Sequence, residues 1–180
     1  IVVTGDGLKV AQALDSKLEQ AYHFKSVAFG DGPDGKQGAL VIMRQDVQGE
    51  QAVLFKPAAQ GLGHGHFDTL GISYFNRGQE VLREYGFCRW VNVEPKFGGR
   101  YLDENKSYAR QTIAHNGVTI DEQCQNQFNV ERADSVHGLP HFFNVEGKKI
   151  KGMSAFANDH YDGFAMQRSV FVVQHDELEA

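Results

Sequence analysis

The sequence predicts an all-β protein, an antiparallel two-sheet β-sandwich with one short helix near its start. Three observations carry that expectation. Apolar runs of four to six residues recur along the chain from about residue 39 onward, each bounded by turn-forming residues. Twenty Gly against only four Pro suit many tight turns rather than linkers. Helical spacing is confined to residues 8–22, where Leu8, Ala11, Leu14, Leu18, Ala21 and Tyr22 recur at three- and four-residue steps behind Asp6 as a candidate cap.

Taken in order, Gly30–Gly35 is a glycine-rich turn. It lacks the lysine of a phosphate loop and does not lead into a helix, so it carries no phosphate-binding signal. Ala39–Met43 and Ala52–Phe55 form a hairpin across a polar turn. Leu70–Phe75 and Glu80–Leu82 form a second one around Asn76–Gly78. Thr112–Ile120, Phe128–Val130, His141–Val145 and Ser169–Val173 are expected to continue the series as strands. No internal repeat or composition break divides the chain, so residues 1–180 are read as a single domain. The chain begins at Ile1 within an apolar stretch and is read as a fragment or processed piece, so a secretory leader is not excluded.

The 41% hydrophobic and 23% charged residues are ordinary for a globular domain. No apolar run approaches the roughly 20 residues of a membrane-spanning helix. The net charge of −5 argues against a nucleic-acid binder. Six basic residues between Arg83 and Arg110, against Glu84, Glu94, Asp103 and Glu104, make that stretch the most basic part of an acidic chain. It would suit an anionic ligand, and equally a solvated sheet face. The two cysteines, Cys88 and Cys124, could bridge but have no framework spacing, and Cys88 beside Phe87 reads as a small buried apolar residue.

The chemistry-bearing residues concentrate in Gly61–Asp68. On an extended strand, His64, His66 and Asp68 would share one face, with Gly63 and Gly65 leaving the backbone open. Two imidazoles and a carboxylate suit a divalent metal such as zinc, or acid–base work. A strand end facing water is the competing reading. Histidines in Val136–Phe143 and Asn158–Asp162 fall in expected turns and are read as facing water, with the border of a ligand groove as the alternative.

The runs His64–Tyr74, Glu84–Trp90, Gly98–Tyr101 and Arg110–Asn116, several separated motifs in a consistent order, resemble the heparinase II/III-like sheet domain. Within that group they are most similar to oligoalginate lyases of polysaccharide lyase family 17, over the stretch from about Gly30 to the C-terminus. The resemblance implies a two-sheet β-sandwich working against an N-terminal α/α-toroid of the same enzyme, which is not found in these 180 residues. It implies a structural zinc on His66, Glu84 and His115, with Glu84 standing where the family pattern usually has Asp. His64 and Tyr101 are the implied catalytic residues, and Arg89 the implied partner of the sugar carboxylate.

On this reading the metal set differs from the local His64–His66–Asp68 spacing, and Asp68 instead orients a neighbour or pairs locally. The implied activity is exolytic β-elimination on alginate or its oligosaccharides, in a periplasmic or secreted parent enzyme. Homo-oligomerisation is left open. The alternatives are a lyase acting on heparan sulfate or another glycosaminoglycan, a non-catalytic zinc-stabilised carbohydrate-binding sandwich, and a cupin-like metal oxygenase built on the local histidines.

Overall fold

The computed structural model describes residues 25–45, 51–59, 65–84 and 107–174. The expected helix at residues 8–22 lies outside them. So do His64, Arg89, Tyr101 and Cys88.

Five strands, β1 (Val27–Asp31), β2 (Gln37–Arg44), β3 (Gln51–Lys56), β4 (Gly71–Asn76) and β5 (Gln79–Leu82), form one antiparallel sheet in chain order. Three more, β6 (Leu139–Asn144), β7 (Ile150–Tyr161) and β8 (Phe164–Val173), form a second meander. Between the sheets the chain makes short 3-10 turns at Tyr108–Arg110, Thr112–Ala114 and Gln125–Phe128. One short helix, α1 (Val130–Ser135), follows, capped by the Asn129 side chain accepting from the Arg132 N–H. The expected all-β sandwich is therefore what forms.

Register explains the core. Val41 pairs with Phe55, Met43 with Val53, Phe55 with Ile72 and Val53 with Tyr74, so one face of the five-stranded sheet is a continuous apolar row. It packs against Met153, Ala155 and Ala157 of β7, flanked by Met166, Val170 and Val172 of β8. Phe55, Met43 and Met153 are fully buried. The alanines of β7 leave room for the large side chains opposite, which is how two inner faces interdigitate.

The two sheets are also joined through backbone. Gly38 donates to the Gly138 carbonyl and Gly138 donates to the Pro57 carbonyl, each at 2.8 Å. A Cβ on Gly138 would lie 2.6 Å from the Pro57 oxygen, so only glycine permits this approach.

Three expectations fail here. Thr112–Ile120 is not a strand, because its backbone is folded into the 3-10 turn that begins at Thr112. Phe128–Val130 is not a strand either, since it joins a 3-10 turn to α1. Asn158–Asp162 is not a water-facing turn over its whole length. Asn158–Tyr161 is the end of β7, and His160 is only 1% exposed with neither ring nitrogen hydrogen-bonded. Burial, chiefly, holds the His160 pKa down to about 4.

Phe55→Ala should cost about 3–5 kcal/mol in denaturant unfolding, and Gly138→Ala about 1–3 kcal/mol by overpacking. His160 also makes stability pH-dependent. It is neutral in both states above its unfolded value of about 6.5, whereas below that the unfolded chain takes the proton first. Stability should fall as pH drops from about 6.5 to 4, with His160 accounting for about 3 kcal/mol of the fall. His160→Leu should flatten that part of the curve in parallel unfolding titrations.

Candidate functional site

Three of the predicted site residues fall within the described segments, and they come from three separate places in the chain. His66 sits on the loop that leads into β4, Glu84 follows β5, and His115 closes the 3-10 turn at Thr112–Ala114. The fold brings them together. The His115 Nδ1 contacts the Glu84 Oε1, and the His66 and His115 rings lie 4.9 Å apart between centroids. His66 and His115 are both buried, and the His115 Nε2 has no hydrogen-bond partner. Burial first, then the neighbouring His115, hold the His66 pKa down to about 4, so its ring is neutral at neutral pH. Neutral imidazoles and a carboxylate are the donor types a zinc site uses. Among the described residues, however, no three His, Cys, Asp or Glu side chains are arranged as a ready cage for an ion.

The extended His64–His66–Asp68 face is not what forms at the described end of the motif. Residues 65–70 are a loop, and Asp68 turns to an ion pair with Lys56. Lys56, Asp68 and Glu84, with Leu40, Leu54 and Ser73, line a depression of about 160 Å³ beside the five-stranded sheet. Cys124 is a free thiol, half-buried, so the sequence-level option of a bridge is not realised.

The loop carrying His66 and the turn carrying His115 are held by a seam of hydrogen bonds. The Phe67 N–H donates to the Arg110 carbonyl at 2.9 Å, and the Thr112 hydroxyl donates to the Phe67 carbonyl at 2.6 Å. The Gln125 amide clasps Thr69 through both backbone groups, each at 3.0 Å. Gln125 also donates its own N–H to the Thr112 hydroxyl at 3.0 Å. From the opposite sheet, the Arg168 guanidinium donates to the Leu70 carbonyl at 2.6 Å and the Asn116 carbonyl at 2.7 Å. Burial lowers its pKa from the usual arginine value.

Beside Gln125, Asn126, Gln127 and Phe128 all have left-handed φ between 55° and 59°. Such residues cost about 1–2 kcal/mol each. Here the Phe67–Phe128 ring contact at 5.0 Å and the Gln125 clasp help to hold the turn. Sequence reasoning missed Thr112, Gln125 and Arg168 as site-building residues. Nothing in a lone Thr, Gln or strand Arg marks it as a tertiary clamp.

Comparison with known proteins agrees with this architecture. Residues 30–179 match the family described as heparinase II/III-like, C-terminal. The chain is 42% identical over 181 residues to a protein named exo-oligoalginate lyase from Saccharophagus degradans, and 37% identical over 178 residues to an alginate lyase from Stenotrophomonas maltophilia. Each alignment covers 99% of this chain but 24% of the relative, so the chain spans about a quarter of their length. A solved heparinase III structure superposes with a TM-score of 0.66 at 18% identity, covering 93% of this chain and 25% of that one, a likeness of fold. With most of its length matched and a sheet sandwich that agrees, the chain belongs to the heparinase II/III-like C-terminal family.

Proposed function

We propose that this chain is the β-sheet part of a polysaccharide lyase that cleaves alginate or its oligosaccharides by β-elimination, removing units from chain ends. The observation that carries the reading is the meeting of Glu84 and His115, with His66 alongside, in a chain 42% identical to an exo-oligoalginate lyase. The three side chains come from separate segments. A zinc ion held by them would cross-link those segments, which would give it a structural role. The unpaired His115 Nε2 and the neutral His66 ring favour metal over a buried ion pair.

Elimination from a 4-linked uronate makes three demands: the carboxylate must be neutralised, the C5 proton must be taken, and the leaving oxygen must be protonated. Arg89 suits the first, because a guanidinium pairs with a carboxylate through two parallel hydrogen bonds. Tyr101 and His64 are assigned to the proton transfers. A tyrosine can act as base or acid near neutral pH only where positive charge lowers its pKa, and Arg89 and Arg100 stand close by in sequence. The remaining wall of the cleft belongs to an N-terminal α/α-toroid in the same enzyme, so the sheet part alone should show little turnover.

The test is made on the whole enzyme with alginate oligosaccharides, following the absorbance of the unsaturated uronate formed. Tyr101→Phe should lower kcat by about 10²–10⁴ with oligosaccharide still bound. Absence of product from alginate, with product from heparan sulfate oligomers, would move the assignment to a glycosaminoglycan lyase. Metal analysis should find zinc in the wild type and lose it on His115→Ala. Retention of zinc by that variant would rule out the assigned ligand set.

A further inference from the structure

Thr112 occupies a singular place relative to the two buried histidines. Its backbone carbonyl accepts the His115 N–H at 3.1 Å, and its hydroxyl donates to the carbonyl of Phe67, the residue next to His66, at 2.6 Å. The same hydroxyl accepts the Gln125 N–H at 3.0 Å, and the Gln125 amide clasps Thr69 on the His66 loop. Thr112 and Gln125 are both fully buried. One small side chain thus ties together a loop and a turn that no β-ladder joins, next to the backbone bond from the Phe67 N–H to the Arg110 carbonyl. A hydroxyl that both donates and accepts is the one group of that size able to do this.

We infer that Thr112 is a positioning residue for the His66–His115 pair, fixing the separation and tilt of the two imidazoles that the proposed metal site requires. The inference rests on the reading of His66 and His115 as ligands, and it makes a demand of its own. Loss of the hydroxyl must displace the imidazoles themselves, whether or not metal is bound. Valine replaces the hydroxyl with a methyl at nearly constant volume, so it removes the bonds to Phe67 and Gln125 and the 3.6 Å contact with the Cys124 Sγ, and leaves the Phe67 carbonyl and Gln125 N–H unsatisfied in the interior. Serine keeps the hydroxyl and loses only a methyl.

The experiment compares Thr112→Val, Thr112→Ser and a control, Ser154→Ala, in the full chain. The control breaks part-buried hydrogen bonds from Ser154 to Ser169 and from Gln167 to Ser154, all within the three-stranded sheet. Two readouts are taken: the imidazole nitrogen resonances of His66 and His115 in metal-free protein, and the rate of zinc loss to a chelator.

Thr112→Val should move both imidazole signals and release zinc about tenfold to a hundredfold faster. Thr112→Ser should track the wild type, and Ser154→Ala should lower Tm without either change. Unmoved imidazole signals in Thr112→Val, or equal displacement in Ser154→Ala, would overturn the inference. Should Thr112→Val fail to fold, Thr112→Ala takes its place with the same expected shifts. A wild type that binds no zinc removes the ligand reading alone, and the metal-free imidazole signals then decide the positioning role by themselves.

Discussion

Residues 65–70 form a buried loop without a β-ladder, and the site depends on how that loop's backbone is satisfied. Buried N–H and C=O groups must be paired. The Asp68 carbonyl accepts the Gly71 N–H locally at 2.8 Å, and further partners are supplied from outside the loop. The Arg110 and Lys56 carbonyls, the Thr112 hydroxyl and the Gln125 amide each take a group of the loop. This constraint explains why the segment after Arg110 turns into 3-10 structure rather than extending. A strand there would carry Thr112 away from Phe67 and leave two polar interiors facing each other unpaired.

Electrostatics follow from the same burial. His66 and His160 both lose the proton they would carry in mildly acidic water, because neither environment repays the cost of a buried charge. They differ in their surroundings. His66 stands against a second imidazole beside a carboxylate, an arrangement that metal binding would reward. His160 lies near Arg132 and His137 at the end of β7 and has no hydrogen-bonded partner. Two neutral histidines of similar burial are therefore unequal as chemistry.

Much of the fold was legible from the residues because strand alternation is a local signal. Ala39–Met43, Ala52–Phe55 and Glu80–Leu82 fall on strands, as does Leu70–Phe75 apart from Leu70 itself, and the Asn76–Gly78 turn sits where glycine permits a positive φ. The longest strand among the described residues, β7, escaped notice. Its core face is Met153, Ala155 and Ala157, and alanine carries little strand signal until a large partner such as Phe55 is seen opposite. The metal-type residues His66, Glu84 and His115 emerged from motif resemblance. Local spacing alone pointed to Asp68, which instead pairs with Lys56. Thr112, Gln125 and Arg168 were invisible because their roles exist only between distant segments.

Arg168 changes how this region can open. A side chain on the inner face of β8 is fastened to both the Leu70 and Asn116 carbonyls, so the His66 loop and the His115 turn are tied to the sheet that does not carry them. Neither can detach as an independent local fluctuation without breaking a hydrogen bond to the half-buried Arg168 guanidinium. The two segments and β8 should therefore behave as one cooperative unit, exposing their amides in a shared opening event while the β1–β2 hairpin breathes separately.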